Sequence, residues 1–173
     1  MAVDTDKDPI HQTFQAIWDC LEAETTFTTN VDSMNRIKYT GTARTADKPG
    51  LRTADVPQVR VVQSGLEWAI GNTSYSSILR VFFDIDVTVG DKRLEELTLV
   101  QWAIYLAMSR WETYMEAEIE WNNLNPFKKV IPKKVDTTYA PKAALPEPAD
   151  WRTVWGGGAE LWFTTTDLEA GET

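Results

Sequence analysis

Between residues 77 and 89, Ser-Ile-Leu-Arg-Val-Phe-Phe-Asp-Ile-Asp-Val-Thr-Val, apolar and polar positions alternate. Leu79, Val81, Phe83, Ile85, Val87 and Val89 make one row, while Arg80, Asp84, Asp86 and Thr88 share the other side with Ile78 and Phe82. A period of two with one wholly apolar row predicts an antiparallel strand buried on one face. After the turn signal Gly90-Asp91, the run from about Lys92 to Trp121 contains neither Pro nor Gly. It sets Leu94, Leu97, Val100, Ala103, Ile104, Ala107, Trp111 and Met115 on one helical side. A sheet with one greasy face needs a cover, and this helix is the natural one.

The same reading extends along the chain. Asp8-Pro9 opens a helix, with Asp at the cap and Pro at the first helical position. Ile10, Phe14, Ile17, Trp18 and Leu21 then recur every three or four residues over 9 to about 24, and the Thr-rich piece Thr25 to Asn30 closes that helix. Arg36 to Thr40 is short and strand-like, and 41–57, broken by Pro49-Gly50, reads as an exposed loop. Gln58 to Gln63 is a strand through Val59, Val61 and Val62. Leu66 to Ile70 extends it as an irregular or bulged piece, the hairpin partner of 77–89.

Residues 122–149 hold Pro126, Pro132, Pro141, Pro146 and Pro148 and no periodic pattern, so they read as an extended arm or long loop. Trp151 to Trp155, the triplet Gly156-Gly157-Gly158 as a hinge or tight bend, and Ala159 to Thr166 make a last strand. The expected fold is α+β, an antiparallel sheet of about four strands covered on one face by two helices, with a long Pro-rich arm. One domain spans 1–173, with flexible polar ends at 1–8 and 168–173.

Bulk properties narrow the function classes. A chain of 173 residues with 43% hydrophobic content and eight Trp folds without staples. Cys20 is the only cysteine, which rules out an intrachain disulfide and a cysteine-based zinc site. The start Met-Ala-Val-Asp-Thr-Asp-Lys-Asp is acidic where a secretory leader is basic, and no apolar run reaches the length of a membrane helix, so no membrane partner is expected. A net charge of −9 opposes binding of nucleic acid by the whole surface.

The residues that chemistry would need are scattered. Asp84 and Asp86 put two carboxylates on one strand face, the arrangement of a metal-dependent hydrolase, but they also fit the polar side of an amphipathic strand, and no further ligand stands at fixed reach. His11, the sole histidine, lies nine residues from Cys20, too far along a helix to share a nucleophilic device. The Gly triplet lacks the Lys and Ser/Thr of a phosphate loop. No enzyme activity, metal or cofactor is expected.

Surfaces are more suggestive. Trp102, Tyr105 and Leu106 widen the apolar side of the long helix beyond one stripe, which calls for burial against the first helix or another subunit. Lys128, Lys129, Lys133, Lys134 and Lys142 against Asp136 make the arm basic in an acidic protein, a pattern that fits docking on an acidic neighbour or touching phosphates and equally a solvated loop. Trp18, Trp102 and Trp111 read as core, whereas Trp151, Trp155 and Trp162 flank the Gly triplet and suit a protein partner, as in an adaptor module.

The pieces Pro9-Ile-His-Gln-Thr-Phe-Gln-Ala-Ile-Trp-Asp, Asp55-Val-Pro-Gln-Val-Arg-Val-Val-Gln, the strand 77–89 and the helix after it together resemble, over about 9–166, the tail terminator proteins of long-tailed bacteriophages and, more loosely, their head-tail joining (neck) proteins. The resemblance implies a structural virion subunit, assembled in the host cytoplasm into a ring, usually a hexamer. Such a ring caps the tail tube protein, meets the head connector or neck protein, and lets DNA pass through an acidic lumen that repels phosphate.

Overall fold

The computed structural model describes residues 8–38, 57–70, 77–89, 94–119, 127–140 and 150–164. Residues 41–56 of the predicted loop 41–57, 1–7 and 168–173 of the polar ends, the turns around Gly71 and Gly90, and Pro126, Pro141, Pro146 and Pro148 lie outside them.

The first helix, α1 (Pro9–Glu22), starts where the sequence places it, with the Asp8 carboxylate accepting from the Ile10 N–H at 2.9 Å. Thr25 to Asn30 does not simply close it. Glu24, whose carboxylate accepts from the Thr26 N–H, caps a second short helix, α2 (Thr25–Asn30), which buries Phe27. A single 3-10 turn leads into β1 (Arg36–Ile37), and the Arg36 guanidinium ties back to the carbonyls of Thr28 and Val31. Two long strands follow, β2 (Gln58–Ile70) and β3 (Ser77–Val89).

The long predicted helix is two helices, α3 (Leu94–Met108) and α4 (Trp111–Glu118), broken at Ser109-Arg110. The Ser109 hydroxyl donates to the Leu106 carbonyl at 2.6 Å, and Arg110 leaves helical geometry to reach Glu24 at 2.8 Å. This corner aims Trp111 edge-on at Phe83, with ring centroids 5.6 Å apart.

The last two strands, β4 (Phe127–Ala140) and β5 (Asp150–Phe163), revise the expectation for the C-terminal third. Residues 127–140 of the supposed arm are a sheet strand. Its sequence shows no strand alternation because Lys128 occupies a core-side position, buried with its ammonium on the Glu116 carbonyl, and because the register shifts between Pro132 and Val135. The Gly triplet is neither hinge nor bend: β5 runs straight through it.

The five described strands form one sheet in the order β1-β2-β3-β5-β4, all antiparallel except β1 with β2, so it is mixed. The glycines make room for the facing residues of β3. A Cβ on Gly157 would come within 2.9 Å of the Phe83 ring, and one on Gly158 within 2.9 Å of the Val81 carbonyl oxygen. Phe83 therefore lies over β5 on one sheet face and Phe82 beside Gly158 on the other, and only glycine leaves room for both.

The predicted apolar row of β3 is the floor of the core: Val81, Phe83, Ile85, Val87 and Val89 are buried, with Leu79 packed at the margin. α3 and α4 lie on this floor, and α1 packs against them. Cys20 on α1 donates its thiol to the Ala107 carbonyl at 2.9 Å. The four described helices sit with the apolar row, so one sheet face is covered.

Candidate functional site

The opposite sheet face carries charge instead. Arg60 meets Asp86 at 2.8 Å, and Arg80 meets Glu160 at 2.7 Å and Glu67 at 3.7 Å. The Trp162 indole N–H also donates to Glu160, at 2.6 Å. Burial works to raise the Glu160 carboxyl, but the hydrogen bonds from Arg80 and Trp162 outweigh it and hold the group below its ordinary range. Asp86, one of the two acids weighed as metal ligands, is thus engaged in a structural ion pair. Among the described residues no three His, Cys, Asp or Glu side chains are grouped as a cation would need.

Nucleophilic chemistry finds no better footing. Burial pushes the Cys20 thiol up to about 12, so it stays protonated and inert. Glu118 on α4 is pushed up to about 7, first by burial and then by the charge and hydrogen bond of Asp19 on α1. The two acids are neighbours where α1 packs on α4.

A half-open apolar cavity of about 170 Å³ lies where the α3–α4 corner passes over the glycines, lined by Phe83, Met108, Trp111, Val130 and Trp155. The indole N–H groups of Trp111 and Trp155 find no acceptor among the described residues and are shut away from solvent. Such a donor costs about 1–3 kcal/mol. The residues that line the cavity include no charged group.

The marked feature of the molecule is apolar surface without cover. α3 is apolar nearly all round, a composition that belongs to an enclosed helix. Leu97, Val100, Ala103, Ile104 and Ala107 are indeed buried, yet Leu99, Trp102 and Tyr105 on its outer flank are 42%, 54% and 53% exposed. Trp102 and Tyr105 stack, centroids 5.3 Å apart and planes within 17°, so the flank is a preformed aromatic plate. Gln101 beside it is anchored to Thr153 of β5 at 2.7 Å.

A second uncovered patch lies on β2. Its near half is sealed, with Val59 and Val61 buried, but beyond an irregularity between Gln63 and Gly65 the residues on that same face, Leu66, Trp68 and Ile70, are 48%, 68% and 79% exposed.

The predicted interface residues do not form one cluster. Trp102 belongs to the aromatic plate rather than to the core, and Leu106 next to it is half-buried. Lys128 is buried and Lys129 exposed, while the side chains of Lys133, Lys134 and Trp151 lie outside the described residues. Trp155 faces the helices and Trp162 the opposite side, because they are seven residues apart on one strand. Leu66, Trp68 and Ile70 were missed as a surface, although Leu-x-Trp-x-Ile with no Pro or Lys is a legible strand pattern. No helix among the described residues is long and apolar enough to cross a membrane. No protein-family model and no curated protein matches the chain.

Proposed function

We propose that this chain is a structural subunit of a bacteriophage tail or neck, a tail terminator that closes into a ring with copies of itself on the finished tail tube and presents a surface to the head connector. The observation that carries the assembly part is the outer flank of α3. Three large apolar side chains stand open on a rigid, sheet-anchored helix whose sequence is that of an enclosed one. The order of elements, helix, long hairpin, helices across the sheet and closing strands, agrees with the resemblance that supplies the tail part.

The α3 plate would meet a neighbouring subunit. The net charge of −9 would then leave a ring lumen that passes DNA without holding it.

Sedimentation and native mass measurement at rising concentration, with negative-stain images in the presence and absence of tail tubes, test the proposal. Closed rings capping tube ends are expected, lost in Trp102→Ser/Tyr105→Ser with the far-ultraviolet circular dichroism unchanged. A strict monomer at high concentration that ignores tubes would overturn it.

A further inference from the structure

The far half of β2 is an open sheet edge as well as an apolar patch. β1 pairs only with Val59 and Arg60, so from Val61 to Ile70 no described strand lies on the side of β2 away from β3. Leu66, Trp68 and Ile70 stand exposed, and none of the other described residues covers them. Natural proteins blunt such edges with Pro, Lys, bulges or short strands. The other edge, β4, has these devices: Pro132, a register shift after it, and Lys128, Lys129, Lys133 and Lys134. Past the irregularity at Ser64, β2 has none, and Glu67 is its one charge.

We propose that the far half of β2 pairs antiparallel with the same segment of a second copy, about a two-fold axis at Trp68. The occupant follows from the sequence Leu66-Glu67-Trp68-Ala69-Ile70, whose apolar positions are symmetric about Trp68. With Trp68 opposite Trp68 of the copy, Leu66 faces Ile70 and Ile70 faces Leu66 on the apolar side, while Glu67 faces Ala69 on the other.

The neighbouring registers are worse. Centring on Glu67 sets two like charges directly opposite each other, which destabilises a sheet. Centring on Leu66 brings the irregular Ser64 opposite Trp68 and loses an apolar pair. A β4 edge is a poor partner because Pro132 and its displaced register interrupt pairing.

The side chain of Trp68 is pre-set for this contact, its indole N–H donating to the Ser77 hydroxyl of its own hairpin at 2.7 Å. Pairing would make one continuous sheet of two copies. The contact uses residues of β2 and none of Leu99, Trp102 and Tyr105 on α3, so it is an isologous contact proposed apart from the ring interface.

Cysteine cross-linking in a Cys20→Ser chain tests the register. Leu66→Cys and Ile70→Cys chains, mixed and oxidised, should link at least tenfold faster than either alone, because facing positions lie within disulfide reach while identical ones are four residues, about 13 Å, apart. Trp68→Lys should abolish the dimer in sedimentation with thermal unfolding of the monomer unchanged.

The inference falls if Leu66→Cys links to itself as fast as to Ile70→Cys. It also falls if the mixed cysteine chains give no link and the wild-type chain gives no dimer in sedimentation at about 100 times the concentration at which ordinary micromolar pairs form. Rings that form without the Leu66–Ile70 link would sink this contact and leave the tail reading standing. Linked dimers that never form rings on tail tubes would do the reverse.

Discussion

Val61 and Trp68 point to the same face of the same strand, yet Val61 is 1% exposed and Trp68 is 68% exposed. The alternation that puts both residues on the apolar face is continuous in kind, interrupted only between Gln63 and Gly65. What differs is position relative to the helices. The centre of the sheet, β3 with β5, lies under α3 and α4, and the near half of β2 shares that cover, while the far half has none. Periodicity fixes which way a side chain faces and is silent on whether anything lies over it.

The centre should be the part least able to change. Gly157→Val would drive its side chain into the Phe83 ring, and Gly158→Ala would push a methyl against the Val81 carbonyl, a backbone atom that cannot step aside. Each should cost about 1–3 kcal/mol or more, with Gly157→Val the worse because it also displaces the Phe83–Trp111 contact. Urea unfolding monitored by Trp fluorescence reads the loss. Retention of wild-type stability in both would mean that β5 does not run through the triplet as a straight central strand.

Next in size is Val61→Ala in the covered half of β2. A fully buried branched side chain reduced to a methyl should cost about 1–3 kcal/mol, again by urea midpoint. The value sharpens the contrast because the cost measures cover directly. If Val61→Ala were as mild as a surface change, the near half would be no better covered than the far one.

A smaller effect tests the helix layer that provides this cover. Glu118, raised from 4.5 to about 7 by burial and by Asp19, binds a proton in the folded chain that it releases in the unfolded chain between those values. Stability from this group is therefore complete below about pH 4.5 and lost as pH rises through 7. Because the carboxyl is partly exposed, the change is of order 1 kcal/mol after solvent screening. Glu118→Gln should be more stable than the parent at pH 8 and equal to it near pH 4.5, and equal stability at both would separate Glu118 from Asp19.

How much of this was legible in the residues follows from the same distinction. The first helix, the β2–β3 hairpin and the core row of β3 could be read because each repeats a period over many residues and no residue contradicts it. β4 was not legible: a buried Lys128, Pro132 and a slipped register erase its alternation, and the Glu116 carbonyl and carboxylate that α4 supplies help to hold the Lys128 ammonium. The Gly triplet suggested a bend because its true cause, rings of Phe82 and Phe83 from another strand, is a tertiary contact. The α3 plate was half legible. Trp102, Tyr105 and Leu106 were visibly in excess of one stripe, but their exposure depended on where α1 and α2 settle.

The mildest prediction concerns the far half itself. Trp68→Ser removes the largest exposed side chain of β2 and the hydrogen bond to Ser77, yet a side chain 68% in water has little burial to lose. The monomer should keep its stability to within about 0.5 kcal/mol, measured at a concentration low enough to prevent association. Against Val61→Ala this is an inversion of size and consequence, the bulkier deletion being the cheaper one. The inversion should fade as concentration rises, because the parent then gains stability by pairing, through mass action, and Trp68→Ser does not. A loss of several kcal/mol in the dilute monomer would show that Trp68 is covered within its own chain, and the two halves of β2 would no longer differ.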